Sequence, residues 1–448
     1  MIAAGHAGRA SRGGRRVLRP WRGRPGLVWL LFLVAACAPN EPMFPELQPF
    51  QILDLPAWSG GEIRVTSAAF AALAATPTVL VSDAAAPVTR LDSVTVAVRL
   101  PVASGTLSLR VEAPGVDSLP QDIQLAGLDT THPSEPQLVS LPEVWPAGSP
   151  VPTVVAITGG RLVQLDLRFG TTAQVLPESA LDARCVTAPG LGVDPNVVVV
   201  ATSSDSVCGA LEAWAIRPNA RLTDSGPAFG YVFPYQAAGP VLYLGSGRWL
   251  LSREHTDSII LATRDASGRY TYTGVPYGWS TAIRYRVSPR GDRALPTGGN
   301  GPAPVFGLPS GTVAYMIQGN AIGGAAFSQG GDTLFVSVDT GVEVRDATTG
   351  AQLGEISVPS YGIYDIVVDA GRPWLYVLVD YGSFPTVFVV DRRTLTIAGR
   401  LGINGGEVAP GWWRAVLSPA ERRLYVMLPG YFPPSAISPW ILRYSLLP

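Results

Sequence analysis

Short apolar runs, each closed by a serine or an aspartate, recur along the C-terminal part of the chain. Ala325-Ala326-Phe327-Ser328 leads to Leu334-Phe335-Val336, Ile366-Val367-Val368-Asp369 to Leu375-Tyr376-Val377, and Ala415-Val416-Leu417-Ser418 to Leu424-Tyr425-Val426. Ser328 and Asp369 lie 41 residues apart and Asp369 and Ser418 lie 49 apart, a period expected of sheet-sized repeats stacked on one another. Runs such as Val197-Val198-Val199-Val200 and Val387-Phe388-Val389-Val390 are apolar on both faces, which predicts strands covered from both sides. Nearer the N-terminus the pattern changes to alternation. Ile63 and Val65, Val79 and Val81, Val94 to Val98, and Leu107 to Val111 mark short strands between turn residues, and this predicts a small antiparallel sandwich over residues 50–128.

The same pattern traces earlier repeats. Residues 154–157, 162–167 and 173–176 form a first; 184–187, 197–201, 213–216 and 231–233 a second; 241–244, 249–252, 259–263 and 270–273 a third. A fourth runs over 283–287, 302–308 and 312–317, with 293–299 reading as a poor strand. The last repeat shows only three strands, at 413–417, 423–428 and 441–445. An open edge there would leave backbone N–H and C=O groups unpaired. Residues 137–141, Gln-Leu-Val-Ser-Leu, are the expected fourth strand, and 129–136, polar and proline-containing, the expected hinge before it.

The segments Asp332-Thr333-Leu334-Phe335-Val336, Val342-Glu343-Val344-Arg345-Asp346-Ala347-Thr348-Thr349-Gly350 and Val389-Val390-Asp391-Arg392-Arg393-Thr394 resemble the YVTN-type and related β-propellers. That resemblance implies an all-β chain whose residues 137–448 form a seven-bladed β-propeller, with six or eight blades as the alternatives. In residues 50–128, Gly60-Gly61 before a strand, Pro87-Val88 in mid-segment and Leu100-Pro101 followed by Gly105 resemble the IPT/TIG group of immunoglobulin-like domains. Such Ig-like modules serve as spacers or binding modules.

Composition adds compartment and excludes some partners. The chain has 448 residues with 49 Gly and 41 Pro, and only 15% are charged against about 25% in typical soluble domains, so turns are frequent and much of the chain is buried. A net charge of -1 argues against a nucleic-acid partner, which needs a concentrated basic face. The basic stretch from Arg9 to Arg24 runs into the apolar segment Gly26 to Ala36, as in a secretory signal peptide over residues 1–36. Val34-Ala35-Ala36-Cys37 resembles the lipobox of bacterial lipoproteins, which implies that Cys37 is acylated and heads the mature chain; an ordinary signal with an incidental cysteine is the alternative. Ala38 after the cysteine implies outer-membrane sorting in the cell envelope, with the periplasmic or surface-exposed side left open. Residues 37–49 are a proline-rich tether. Cys185 and Cys208 then reside in an oxidising compartment and are either a disulfide or two buried thiols.

Candidate chemistry is sparse. Ser252, His255 and Asp257 are close in sequence, but a triad is a spatial arrangement, and a turn is the better reading. The P-loop, nucleophile-elbow, zinc-protease and EF-hand patterns are missing. Asp365 and Asp369 share a strand face and read as strand-end hydrogen-bonding groups. No catalytic residue, metal ligand or cofactor is therefore assigned. Aromatic residues next to Gly or Pro precede the first strands of successive repeats: Tyr235, Tyr277, Trp279, Tyr361, Trp412 and Trp413. On one propeller face they would present flat apolar surfaces with polar edges, suited to a glycan, peptide or protein partner; wedging between repeats is the alternative. The expected role is a lipid-anchored binding scaffold of the cell envelope. A lactonase-like or quinone-dependent dehydrogenase-like propeller enzyme and an envelope assembly factor are the competing classes.

Overall fold

The computed structural model describes residues 50–54, 57–101, 103, 105–113, 116–133, 143–144, 153–158, 161–169, 171–175, 190–194, 197–204, 207–215, 220–228, 238–253, 256–299, 301–319, 323–381, 384–401, 413–428 and 440–446. These residues form an all-β structure built almost wholly of antiparallel sheets. Cys37, the signal and tether segments, Cys185 and residues 137–141 lie outside them.

The N-terminal part is the expected sandwich. One sheet joins Gln51–Ile52, Glu62–Thr66, Thr95–Arg99 and Val88–Arg90; the other is built on Gln121–Pro133, Thr106–Ala113, Thr78–Val81 and Ala84–Ala85. Alternation decides which side chains meet between them, because successive residues of a strand point to opposite faces. Ile63, Val65, Val79, Val96, Val98, Leu109, Val111, Ile123 and Leu125 share one buried cluster.

Beyond the sandwich, the described strands fall into seven consecutive four-stranded antiparallel units. Unit one contains Glu143–Val144, Thr153–Thr158, Arg161–Asp166 and Thr171–Val175, and unit two Gly190–Gly192, Val197–Ser204, Val207–Ala215 and Ala220–Ala228. Unit three contains Ala238–Gly245, Arg248–Arg253, Thr256–Arg264 and the first part of Tyr270–Val287, whose remainder opens unit four before Arg293–Gly299, Ala303–Gly307 and Thr312–Ile317. Unit five is Ala325–Phe327, Thr333–Val338, Gly341–Asp346 and Gln352–Ser357; unit six is Gly362–Val368, Trp374–Tyr381, Phe384–Asp391 and Thr396–Leu401. Arg414–Ser418, Arg423–Leu428 and Trp440–Ser445 begin unit seven.

Three expectations need correction or addition. Residues 293–299 form a strand despite Pro296, which sits opposite Tyr285 in a regular register. Unit one opens with Glu143–Val144, paired to Val155 and Val154, a strand too short to show a pattern. Most consequentially, the place beside Trp440–Ser445 is taken by residues 127–133 and not by 137–141: Gly127 pairs with Ser445, Thr131 with Leu442 and Pro133 with Trp440. Residues 129–133 are therefore strand and not hinge. Gln121–Pro133 pairs with Thr106–Ala113 through its first part and with unit seven through its last. One continuous strand thus ties the sandwich to the repeats.

The doubly apolar strands have a direct explanation. In Phe384–Asp391, Val387 and Val389 join a cluster with Ala415, Leu424 and Val426 of unit seven, whereas Phe388 and Val390 join one with Val342, Val344 and Ile356 of unit five. Alternate side chains enter opposite neighbours, so neither face can be polar. The first strands of units two to seven lie beside one another in order. At the two ends, Leu165 and Leu167 of unit one are buried with Val416, Tyr425, Met427 and Ile441 of unit seven, so the last unit packs directly on the first.

The sandwich also docks on unit six. Trp58 is buried edge-on against Trp374, with ring centroids 5.6 Å apart, and the Arg400 amide donates to the Ser59 carbonyl at 3.0 Å. This approach requires glycine. A Cβ on Gly399 would lie 2.4 Å from the Trp58 Cβ and 3.3 Å from the Gly61 Cα. Gly399→Ala is expected to cost about 1–3 kcal/mol, as overpacking of a filled interface does, measured as a shift in urea midpoint; an unchanged midpoint would mean that the interface yields freely.

The recurring Ser or Asp is explained by the turn between the first two strands of a unit. Ser328 donates to Asp332 at 2.5 Å and accepts from the Thr333 amide at 3.1 Å. Ser288 does the same in unit four, donating to Asp292 at 2.6 Å and accepting from the Arg293 amide at 3.1 Å. The repeat thus begins one unit earlier than the three obvious copies.

Candidate functional site

The most concentrated charge in the described interior lies where the first strands of units four, six and seven approach one another. Asp365 is fully buried on Gly362–Val368. Its Oδ1 accepts from the Nη2 groups of Arg284 and Arg286, the latter at 2.6 Å, and from the Ile366 amide at 2.8 Å. Its Oδ2 accepts from the Ala415 amide at 3.0 Å. Arg414, also fully buried, directs Nη1 to the carbonyls of Tyr364 at 3.2 Å and Trp413 at 3.1 Å.

Local backbone makes this convergence possible. Arg284 and Arg286 are two apart on one strand and so project to the same side, while Tyr285 between them turns inward to meet the Ser252 hydroxyl at 2.9 Å. Just before the first strand of unit five, Gly324 passes against unit six: a Cβ there would lie 2.8 Å from the Asp365 Cα and 3.0 Å from the Ile366 amide nitrogen. The bare backbone lets the strands close up, and the unit-four arginines reach across to unit six.

Burial by itself would raise the Asp365 pKa, but the charges of Arg284, Arg286 and Arg414, with the Ala415 amide, outweigh it and hold the carboxyl down at about 2. Asp365 is therefore an anion at all ordinary pH values. Tyr364, whose ring lies 4.7 Å from that of Trp413, donates to Asp380 at 3.4 Å; burial and the neighbouring carboxylate push its pKa up to about 12, so it remains a donor.

Above this cluster lies the expected aromatic face, in part. Tyr361 is 85% exposed immediately before the first strand of unit six. Trp413 is only 1% exposed, packed on Tyr364 between units six and seven, so for this ring the wedge alternative applies. Tyr277 and Trp279 belong to the strand Tyr270–Val287 that leads into Arg284. Tyr235 and Trp412 lie outside the described residues, as do Cys185 and His255. Cys208 is placed opposite Ser203 in unit two, and His132 opposite Ile441 in the strand that completes unit seven.

No protein-family model matches the chain, and no curated protein matches it. Function therefore has to be argued from the site. Asp369, the second acidic residue noted on the unit-six strand, accepts from the Gly371 amide at 3.0 Å, which is the strand-end role expected of it. Asp365 proves to be the hub of an ion cluster. Its three arginines went unnoticed because they come from distant parts of the chain; the one local signal was Arg284-Tyr285-Arg286, two charges flanking an aromatic at strand spacing. Among the described residues, no three His, Cys, Asp or Glu side chains gather to hold a metal.

Proposed function

We propose that the protein is a lipid-anchored scaffold of the cell envelope. In this reading Cys37 carries the acyl anchor, residues 37–49 form the tether, and the seven units close into a seven-bladed β-propeller. Closure is supported by the last unit taking its fourth strand from residues 127–133 and packing on unit one through Leu165 and Leu167. An open stack would leave those two ends apart. The face at which the first strands begin recognises a glycan, peptide or protein partner, with no bond made or broken.

The observation that carries the recognition role is Tyr361, a large aromatic ring 85% exposed beside a rigid, buried ion cluster. Exposed aromatics on a fixed scaffold offer contact area at low entropic cost. A photocrosslinking residue at position 361, used in the native envelope, is expected to give one reproducible, identifiable adduct; the same residue at Leu353, which is 62% exposed on the fourth strand of unit five, is expected to give none of it. Tyr361→Ala should weaken that partner's binding by about tenfold, the loss of a well-buried aromatic contact, and leave the melting midpoint unchanged. Identical adducts from both positions would remove the assigned face.

A further inference from the structure

At the mouth formed by units four, six and seven, one carboxylate, Asp365, faces the guanidinium groups of Arg284 and Arg286 directly, with Arg414 beside it. Arg286 differs from its neighbours in access: 17% of its side chain is exposed, against 2% for Arg284 and none for Asp365. Its Nη2 is fixed by Asp365, while its Nε makes no hydrogen bond among the described residues. A guanidinium held at one corner presents its remaining donors in a fixed orientation, the arrangement that favours bidentate recognition of an oxyanion.

Other polar atoms of the same neighbourhood also lack partners among the described residues. They are the Trp413 indole Nε1, the Ser360 hydroxyl and the Asp380 Oδ1. They are connected: the Tyr361 amide donates to the Asp380 carbonyl, Tyr364 donates to the Asp380 carboxylate, and Trp413 stacks obliquely on Tyr364. Buried polar atoms left unsatisfied cost about 1–3 kcal/mol each, so such a group takes up water or ligand atoms. The set mixes donors with an acceptor, which suits hydroxyls better than a bare ion.

We propose that this mouth binds a hydroxyl-rich ligand bearing a carboxylate, of which a uronate sugar is the simplest, with Arg286 taking the carboxylate and Tyr361 lying against the ring. This rests on the recognition face proposed above and names its ligand chemistry. Neutral sugars are bound less well, because the charge-assisted contact is lost.

The test is thermal melting of the full-length protein in detergent, with D-glucuronate and D-glucose as the probes at roughly 10 mM, read as the midpoint shift that ligand linkage produces. D-glucuronate is expected to raise the midpoint and D-glucose to do so far less. Arg286→Gln should abolish the glucuronate shift, whatever its own midpoint, and Arg286→Lys should weaken affinity by roughly three- to tenfold, since an ammonium cannot replace the fork. Arg290→Gln, at an exposed turn position, should leave the shift intact. No shift with the unaltered protein, equal shifts with both sugars, or a full shift in Arg286→Gln would overturn the inference. Failure here is separable from failure of the face itself: a Tyr361 adduct that persists in Arg286→Gln leaves the scaffold standing without its uronate site.

Discussion

Replacing Asp365 by alanine is expected to lower the unfolding free energy by about 3–5 kcal/mol, the cost of removing one partner from a buried ion pair. The size follows from what is stranded. Arg284 and Arg286 lose their common carboxylate, and the Ile366 and Ala415 amides lose their acceptor. Asp365→Asn should cost less, since a side-chain carbonyl can still accept from one amide. Urea unfolding measures both, and a loss under about 1 kcal/mol for the alanine variant, within the range of an exposed pair, would show that the cluster does not bind the units together.

The same residue sets an acid limit. A carboxyl held at about 2 in the folded state, against 3.8 ordinarily, favours the folded form above the ordinary value. That contribution is lost as pH falls from about 4 through about 2, and amounts to roughly 2–3 kcal/mol. The urea midpoint should therefore decline over this window, and the decline should be shallower in Asp365→Asn. A midpoint with identical pH dependence in both proteins would count against the assigned ionisation.

Trp58→Ala is the second large effect expected, about 3–5 kcal/mol, typical of truncating a buried indole. Trp58 shares a cluster with Tyr376, Leu378 and Val389 of unit six and with Trp413, Leu424 and Tyr444 of unit seven. It is thus the main apolar bond between sandwich and repeats, parallel to the continuous strand Gln121–Pro133. The unaltered protein should melt in one transition covering both parts. In Trp58→Ala the sandwich should begin to separate, seen as an earlier phase in calorimetry; two resolved transitions already present in the unaltered protein would mean that the strand and Trp58 do not couple them.

The parts of the architecture legible in the sequence were those written in local pattern. Alternation over Glu62–Thr66 and Thr106–Ala113 marks a half-covered sheet, and the uninterrupted run Val387 to Val390 marks a strand with a neighbour on each side. The Ser-Asp turns were legible as a period before their hydrogen bonds gave the period a cause. The strand at Arg293–Gly299 was obscured by its proline and glycines, whose local preferences are overridden by pairing on both sides. The closing strand was misplaced by a few residues for a related reason. Residues 129–133 are polar, with a histidine and a proline, and nothing local reveals that Trp440–Ser445 waits beside them.

The site was less legible still. Tyr361 was visible as an aromatic beside glycine, and Asp365 as an acid on an apolar strand. The pairing of Asp365 with Arg284 and Arg286 crosses some 80 positions, and no periodicity encodes which distant charges will meet. Trp413 carried the same local signature as Tyr361, yet its ring is buried while the other stands in solvent. Exposure is a property of the neighbours that tertiary packing supplies.

The chain's own order of residues determined that it would be β throughout, that its repeats would be covered on two faces, and where most turns would fall, because side-chain alternation and turn chemistry act over a few positions. Only the tertiary structure decided that an N-terminal strand completes the last unit, that Gly399 and Gly324 admit their neighbours, and that three arginines gather on one aspartate. Those outcomes depend on backbones brought together from far apart, where removing a Cβ or pairing a charge has meaning only once the partner is in place.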